Sequence, residues 1–307
     1  MLSKSKNILF RADSSSTIGT GHIMRDLVLA SEYKDSNIIF ATQDLDGNLN
    51  DRIIEADYKL EILKSNSLKE VIGLVEKYSI DLVVIDHYSI DYKYEKELKK
   101  QTDVKILSFD DTYEKHYCDI LLNHNIYANT KRYEGLVPKK CELRCGPEYT
   151  LLRDEFIKAK NKREKKVNGT NKTIFIAMGG ADHSNINIKI LKVLESFKNI
   201  SVNIVTTTSN QYLKGLQVHV NERENVTLHI NSTQIAKLMS EADFAILTPS
   251  VTLNEIMYMK VPFIAIKTAL NQLYMMEYLE LNNYFVLDEF NNKKLFQYIS
   301  MMGVEVL

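Results

Sequence analysis

A histidine directly after a glycine turn is the residue of this chain best placed to move a proton. It closes the run Arg11–His22 (RADSSSTIGTGH), where a short apolar strand gives way at once to a helical pattern. Gly19 and Gly21, two apart, let the backbone turn tightly and approach a ligand closely. The helix that follows presents unpaired amides and a positive dipole end. That end disfavours an imidazolium, so His22 is expected to stay neutral near pH 7. A neutral imidazole can take a proton from water, which is general-base work. The other reading of His22 is a histidine that caps or packs the helix start. The turn is not the full dinucleotide fingerprint, because Arg25 or Leu27 stands where a third small residue is needed. Asp13 joins Gly19 and Gly21 as a candidate substrate contact.

Other strand ends carry further polar groups. Asp86-His87-Tyr88 places an acid, an imidazole and a phenol where a buried strand should be apolar. One division of roles has Asp86 holding backbone or a side chain while Tyr88 faces the cleft; the other is a set of satisfied strand-end groups. Asp110-Asp111 invites a metal, but adjacent carboxylates point to opposite sides and more often cap the next segment. His116 with Cys118, Cys141 and Cys145 lacks the usual C-x2-C zinc spacing. H-E-x-x-H, G-x-S-x-G and P-loop patterns are absent from the sequence.

The second half repeats the theme. Gly179-Gly180-Ala181-Asp182 follows a strand and precedes a helix, a second candidate anion cradle in which Asp182 or Ser184 can cap. Ser250 and Asn254 sit at another helix start, with hydroxyls and amides suited to a diphosphate. Glu255, about one turn in, can accept two hydroxyl protons, as a ribose would offer, or simply favour the helix dipole. Asn271-Gln272 adds amide groups at the next junction. Three such junctions in one half favour a nucleotide-diphosphate site.

Parallel strands buried on both faces would position these groups. Asn7–Asp13, Asn37–Gln43, Asp81–Tyr88, Val104–Asp111 and Asp119–His124 are short, nearly continuous apolar runs. Helical spacing marks His22–Lys34, Leu68–Tyr78 and Tyr94–Lys100. The charged segment Ile157–Asn171 then breaks the rhythm and is expected to link two domains. A second series has strands at Thr173–Met178, Ser201–Thr207, Asn225–Ile230, Asp243–Thr248 and Pro262–Lys267. Its helices are Asn185–Phe197, Thr233–Ala242, Thr252–Lys260 and Gln272–Leu281. The expected fold is α/β, with two Rossmann-like domains, residues 1–160 and 170–290, facing each other across a cleft. A helical tail, 291–307, is expected to pack back across the joint.

Composition narrows the function classes. The 307 residues carry 39 Lys and Arg against 40 Asp and Glu, so no basic surplus suits nucleic acid. No apolar run approaches a membrane span or a secretory signal. Three cysteines, an odd number, fit a reducing cytoplasm.

Several of these runs resemble one family. RADSSSTIGTGHIMRDLVLA (Arg11–Ala30), IDHY, KILSFDD, CDILLN, YEGLVPKKCELRCG, MGGAD and Asn254-Glu255 are similar to the UDP-sugar hydrolases of pseudaminic acid biosynthesis. Matches extend to about residue 290. That family looks like the inverting glycosyltransferases of two Rossmann-like domains. The resemblance implies hydrolysis of UDP-2,4-diacetamido-2,4,6-trideoxy-β-L-altropyranose to UDP and the free sugar, with no cofactor or metal. It places the catalytic groups at His22, Tyr88 and Asn271. It places nucleotide contacts at Glu255 and Ser250, with Arg153 a further contact. The sequence departs from the family at Ala181, Pro249 and Thr252, all on the nucleotide side.

The residue chemistry agrees with this. UDP is a good leaving group, so the departing oxygen needs charge stabilisation more than protonation, and helix-end amides supply it. The competing classes are an inverting glycosyltransferase, which would need an acceptor surface, and a protein that binds a nucleotide sugar without turnover.

Overall fold

The computed structural model describes residues 5–162 and 171–307. The chain divides into two compact units, Met1–Leu151 and Leu152–Leu307. The first alternates β1 (Asn7–Ala12), α1 (Gly21–Glu32), β2 (Asn37–Gln43), α2 (Asn50–Glu55), β3 (Lys59–Leu63) and α3 (Leu68–Tyr78). It continues with β4 (Leu82–Asp86), α4 (Tyr92–Thr102), β5 (Lys105–Phe109), β6 (Ile120–Asn123) and β7 (Glu142–Cys145). The seven strands are all parallel, in the order β3-β2-β1-β4-β5-β6-β7. Successive side chains point to opposite faces. Leu9, Ile39, Val83 and Ile106 therefore enter one core while Ile8, Phe10, Phe40 and Leu107 enter the other.

The second unit holds α5 (Asp154–Lys162), β8 (Lys172–Ala177), α6 (Ile186–Leu194), β9 (Ile200–Thr206), α7 (Leu213–Asn221) and β10 (Val226–Ile230). After these come α8 (Ile235–Ser240), β11 (Phe244–Leu247), α9 (Val251–Met259), β12 (Phe263–Ile266), α10 (Leu273–Leu281), β13 (Phe285–Leu287) and α11 (Asn292–Met301). Its six strands are also parallel, in the order β10-β9-β8-β11-β12-β13. In each sheet the strand order reverses beside the first strand, at β1/β4 and at β8/β11. Such switch points open a crevice at the carboxyl ends of the strands.

Two boundaries differ from the sequence expectation. The first unit ends at Leu151, not near 160, because α5 packs on α8 and α9 of the second unit. The charged segment is thus helical as far as Lys162, and its remainder, 163–170, lies outside the described residues. The tail is part of the second unit. Leu295 and Ile299 of α11 are buried in the second unit's core, the Phe296 ring lies tilted 4.9 Å from that of Phe197, and Val306 bridges to Phe197. Among the described residues no helix is long and apolar enough to cross a membrane.

Candidate functional site

Strand register decides what meets at the first switch point. Ala12 of β1 lies opposite Asp86 of β4, so the residues that follow, Asp13 and His87, become neighbours. His87 Nε2 lies 3.0 Å from Asp13 Oδ2, and the Ser89 amide donates to His87 Nδ1. Asp13 also accepts two bonds from Arg11 and one from the Gln43 amide. Burial opposes its ionisation. The bonds from His87 and Arg11, with the Arg11 charge, outweigh that and hold the carboxyl well below the usual range. Asp13 is fully buried and its oxygens are taken up inside the fold. It braces the switch point, its bonds going to Arg11, His87 and the Gln43 amide.

Between β1 and α1 the chain makes a closed loop. Ser15 and Gly19 exchange backbone bonds, and the Ser15 hydroxyl accepts from the Thr17 and Ile18 amides. Gly19 has φ +89°, a conformation that favours glycine. Gly21 is the first residue of α1, and no side chain caps that helix start. His22 follows at 8% exposure, its ring 5.0 Å from that of Tyr88 in an edge-on contact. Its pKa is lowered chiefly by burial, against the opposing pull of Asp86. The neutrality expected of His22 thus stands, but burial leads it. Tyr88 is 55% exposed and donates to Asp111 Oδ2 at 2.8 Å.

Beneath His22 lies an ion network that sequence inspection missed. Arg25, one turn along α1, donates to both oxygens of Asp86 at 2.5 Å and approaches Asp111 at 3.5 Å. Its guanidinium lies 4.9 Å from the Phe109 ring centroid. The signal available was a charged pair, Arg25-Asp26, on an otherwise apolar helix face. Asp86 thus holds a side chain, as one of the two sequence readings had it. The two adjacent acids diverge as their alternation requires. Asp111 joins this network, whereas Asp110 accepts from Tyr133, Tyr113 and Thr112 and faces His116. His116 also lies 2.7 Å from Glu95. Burial disfavours its charge, but Asp110 and Glu95 outweigh that and raise its pKa to about 10. These acids and His116 form an internal ion cluster. Cys118 and Cys141 are free thiols joined by a hydrogen bond, their sulfurs 3.7 Å apart.

The second switch point lies between β8 and β11. Gly179 has φ +78°. The Gly180 carbonyl accepts from the Thr206 and Thr207 hydroxyls and the Thr207 amide. A Cβ on Gly180 would sit 2.8 Å from Thr207 Cγ2, so this close approach requires glycine. Asp182 accepts from the Ile186 and Asn187 amides. It therefore caps α6 and occupies amides that the sequence offered to an anion, leaving the Gly179-Gly180 turn as the open part of that junction. The start of α9 differs. Ser250 is exposed and no side chain caps the helix.

Asn254 and Glu255 lie one turn in, both buried. Arg153 donates to Glu255 Oε1 through Nε at 3.1 Å and Nη2 at 2.9 Å. Burial raises the Glu255 pKa to about 7, with Arg153 opposing. The structure thus unites two residues that stand 102 positions apart in the chain. Gln272 is buried, and its Oε1 accepts from the Thr268 and Ala269 amides and the Thr248 hydroxyl. It ties the β12 turn to the end of β11, so its amide is a brace where the sequence suggested a rim contact. Asn271, beside it, is exposed.

Comparison with known proteins bears on this arrangement. No family model matches the chain. A curated relative from Campylobacter jejuni, UDP-2,4-diacetamido-2,4,6-trideoxy-beta-L-altropyranose hydrolase, is 47% identical over 266 residues, covering 86% of this chain and 93% of the relative. Among solved structures, Acinetobacter baumannii MurG aligns with TM-score 0.66 at 11% identity over 97% of this chain and 91% of its own. A Rickettsia africae glycosyltransferase aligns with TM-score 0.62 at 16% identity over 98% and 88%. These structural likenesses establish the GT-B type of fold, two Rossmann-like α/β units. Identity of 47% sustained over nearly the whole of the relative goes further than fold: the chain belongs to the family of UDP-2,4-diacetamido-2,4,6-trideoxy-β-L-altropyranose hydrolases.

Proposed function

We propose that the chain hydrolyses UDP-2,4-diacetamido-2,4,6-trideoxy-β-L-altropyranose with water, releasing UDP and the free sugar for pseudaminic acid synthesis. The single observation that carries this is the 47% identity over 86% of the chain. The first unit supplies the base. His22 is buried and neutral, and it accepts a proton from water as the water oxygen attacks the anomeric carbon. The C1–O bond to UDP breaks, the diphosphate leaves with the electron pair, and the anomeric centre inverts. Tyr88, exposed beside the His22 ring, orients the sugar.

The second unit holds the nucleotide. The uncapped start of α9 at Ser250 and the Gly179-Gly180 turn meet the diphosphate, so backbone dipoles balance its growing charge without a metal. Glu255, steadied by Arg153, accepts the ribose hydroxyls. Asn271, exposed at the β12–α10 junction, contacts the sugar. The reaction needs no cofactor, no nucleic-acid or membrane partner, and suits the cytoplasm.

A UDP-release assay with this sugar nucleotide and no acceptor tests the proposal, the first-formed anomer being read by NMR. Rapid release with inversion is expected. His22→Ala should lower kcat by at least ~100-fold, the usual size of a general-base contribution, and leave UDP affinity within about twofold, since the nucleotide is held elsewhere. Release only on adding an acceptor would make the protein a transferase. Near-wild-type turnover of His22→Ala would remove His22 from its role.

A further inference from the structure

The core beneath the first switch point contains buried polar atoms that no neighbour satisfies. Among them are His22 Nδ1, both carboxylate oxygens of Asp26, Asp111 Oδ1 and both ring nitrogens of His124. Asp26 is 0% exposed and His124 1%. Groups buried this deeply almost always have a partner, and one without calls for an explanation.

Geometry supplies one for Asp26. It follows His22 by four residues on α1, a spacing that sets Cβ atoms about 5–6 Å apart on one helix face. Helical side chains lean toward the helix amino terminus, so the Asp26 carboxyl leans over the turn that carries His22. Arg25, the cation beside it, is already held by both oxygens of Asp86 and approached by Asp111. An ionised Asp26 would therefore lie buried with no counterion of its own, close to the Asp86 charge. Burial first, and Asp86 second, raise its pKa well above the usual carboxyl range, against the pull of Arg25.

We propose, on the hydrolase reading above, that Asp26 is a positioning residue for His22: a neutral carboxylic acid whose carbonyl oxygen takes up the His22 Nδ1–H through one bridging water. This fixes the tautomer whose Nε2 lone pair is free to take a proton. An ionised acid at this place would do more. It would raise the imidazole's basicity and favour its charged form. A neutral acid orients the ring and leaves it uncharged. The groups that act on this site from other elements are Asp86 at the end of β4, His87 after it, Asp111 after β5, and His124 after β6. His124, its pKa pushed down to about 3 mainly by burial, carries no charge near neutrality.

Two variants and one spectrum test the proposal. Asp26→Asn keeps an acceptor oxygen and no charge. It should retain kcat within about threefold, with the acidic limb of kcat/KM unmoved. Asp26→Ala removes the acceptor and should lower kcat about 10–100-fold, within the range of general-base effects, with UDP affinity unchanged. A large loss of kcat in Asp26→Asn would overturn the proposal, since neutralising an ionised acid in an Asp–His pair costs about 10⁴-fold. So would Asp26→Ala with a lower Tm but normal kcat, the mark of a merely structural group. Independently of folding in the variants, NMR of the wild-type protein reads the state directly. The expected result is His22 protonated at Nδ1 between pH 6 and 8, with an Asp26 carboxyl carbon that does not titrate in the ordinary carboxyl range. His22 protonated at Nε2, or Asp26 titrating in the ordinary range, would refute it. These spectra need no substrate, so a protein with them that releases no UDP would sink the hydrolase reading alone.

Discussion

Replacing Arg153 by methionine is expected to move the pH at which UDP binds. Arg153 donates twice to Glu255 Oε1, and the buried carboxyl titrates at about pH 7. Burial raises it and Arg153 lowers it, so removing Arg153 leaves burial unopposed. An opposite charge at such range lowers a carboxyl's midpoint by roughly 1–3 pH units. The variant's midpoint should therefore lie near pH 8–9 or above. At pH 7 about half of wild-type Glu255 is ionised, against roughly a tenth to a hundredth in the variant. If the ionised carboxylate accepts the ribose hydroxyls, the UDP Kd at pH 7 should rise about 5–50-fold. The gap should narrow as pH rises past 9. Calorimetric titration with UDP between pH 6 and 9.5 measures this, and the ratio of variant to wild type cancels the titration of UDP itself. Glu255→Gln should bind weakly with no such pH dependence. A constant penalty for Arg153→Met at every pH would show that Arg153 touches UDP directly, and an unchanged Kd would show that it does not bear on the nucleotide at all. Either result refutes the coupling through Glu255.

Three further outcomes are open to test. Asp86→Asn takes away the charge that holds Arg25 at both oxygens and leaves Asp111, at 3.5 Å, as its remaining ion pair among the described residues. Breaking one partner of a buried pair costs about 3–5 kcal/mol, so Tm should fall by roughly 10 °C, and an unchanged melting curve would count against the pair. Gly180→Ala pushes a Cβ to 2.8 Å from Thr207 Cγ2 and displaces the hydroxyl that donates to the Gly180 carbonyl. The cost should be about 1–3 kcal/mol. Thr207→Ala added to it should recover most of the loss, and strictly additive effects would contradict the contact. His116 has a folded pKa raised from 6.5 to about 10. Its contribution to stability is therefore fully present below about pH 6.5 and lost as pH rises toward 10. Urea unfolding across that range should show the wild type losing stability more steeply than His116→Gln, and parallel curves would remove the ion cluster from the alkaline response.

Much of the architecture is legible in the chain because local chemistry dictates it. Parallel strands covered on both faces must be continuously apolar. Asn37–Gln43 and Leu68–Tyr78 accordingly form the elements their patterns predict, residue for residue. Two of the strands missed are places where this signal fails. Lys59–Leu63 is an edge strand with only Leu63 buried, and Phe285–Leu287 has only three residues. The turn glycines, Gly19 and Gly179, announce themselves because positive φ admits few other residues.

What each polar group does is another matter. The sequence marks Asp13, Asp182 and Gln272 as site candidates no less than His22 and Glu255. Only the fold reveals that the first three are occupied by Arg11, by α6 amides and by the β12 turn. Only the fold brings Arg25 to Asp86 and Arg153 to Glu255, across 61 and 102 residues. Spacing along a chain reports which groups share a helix face or a strand edge. Desolvation and partnership depend on which strands pair and in what register, and these set whether an acid is a brace, a ligand or a proton held in reserve.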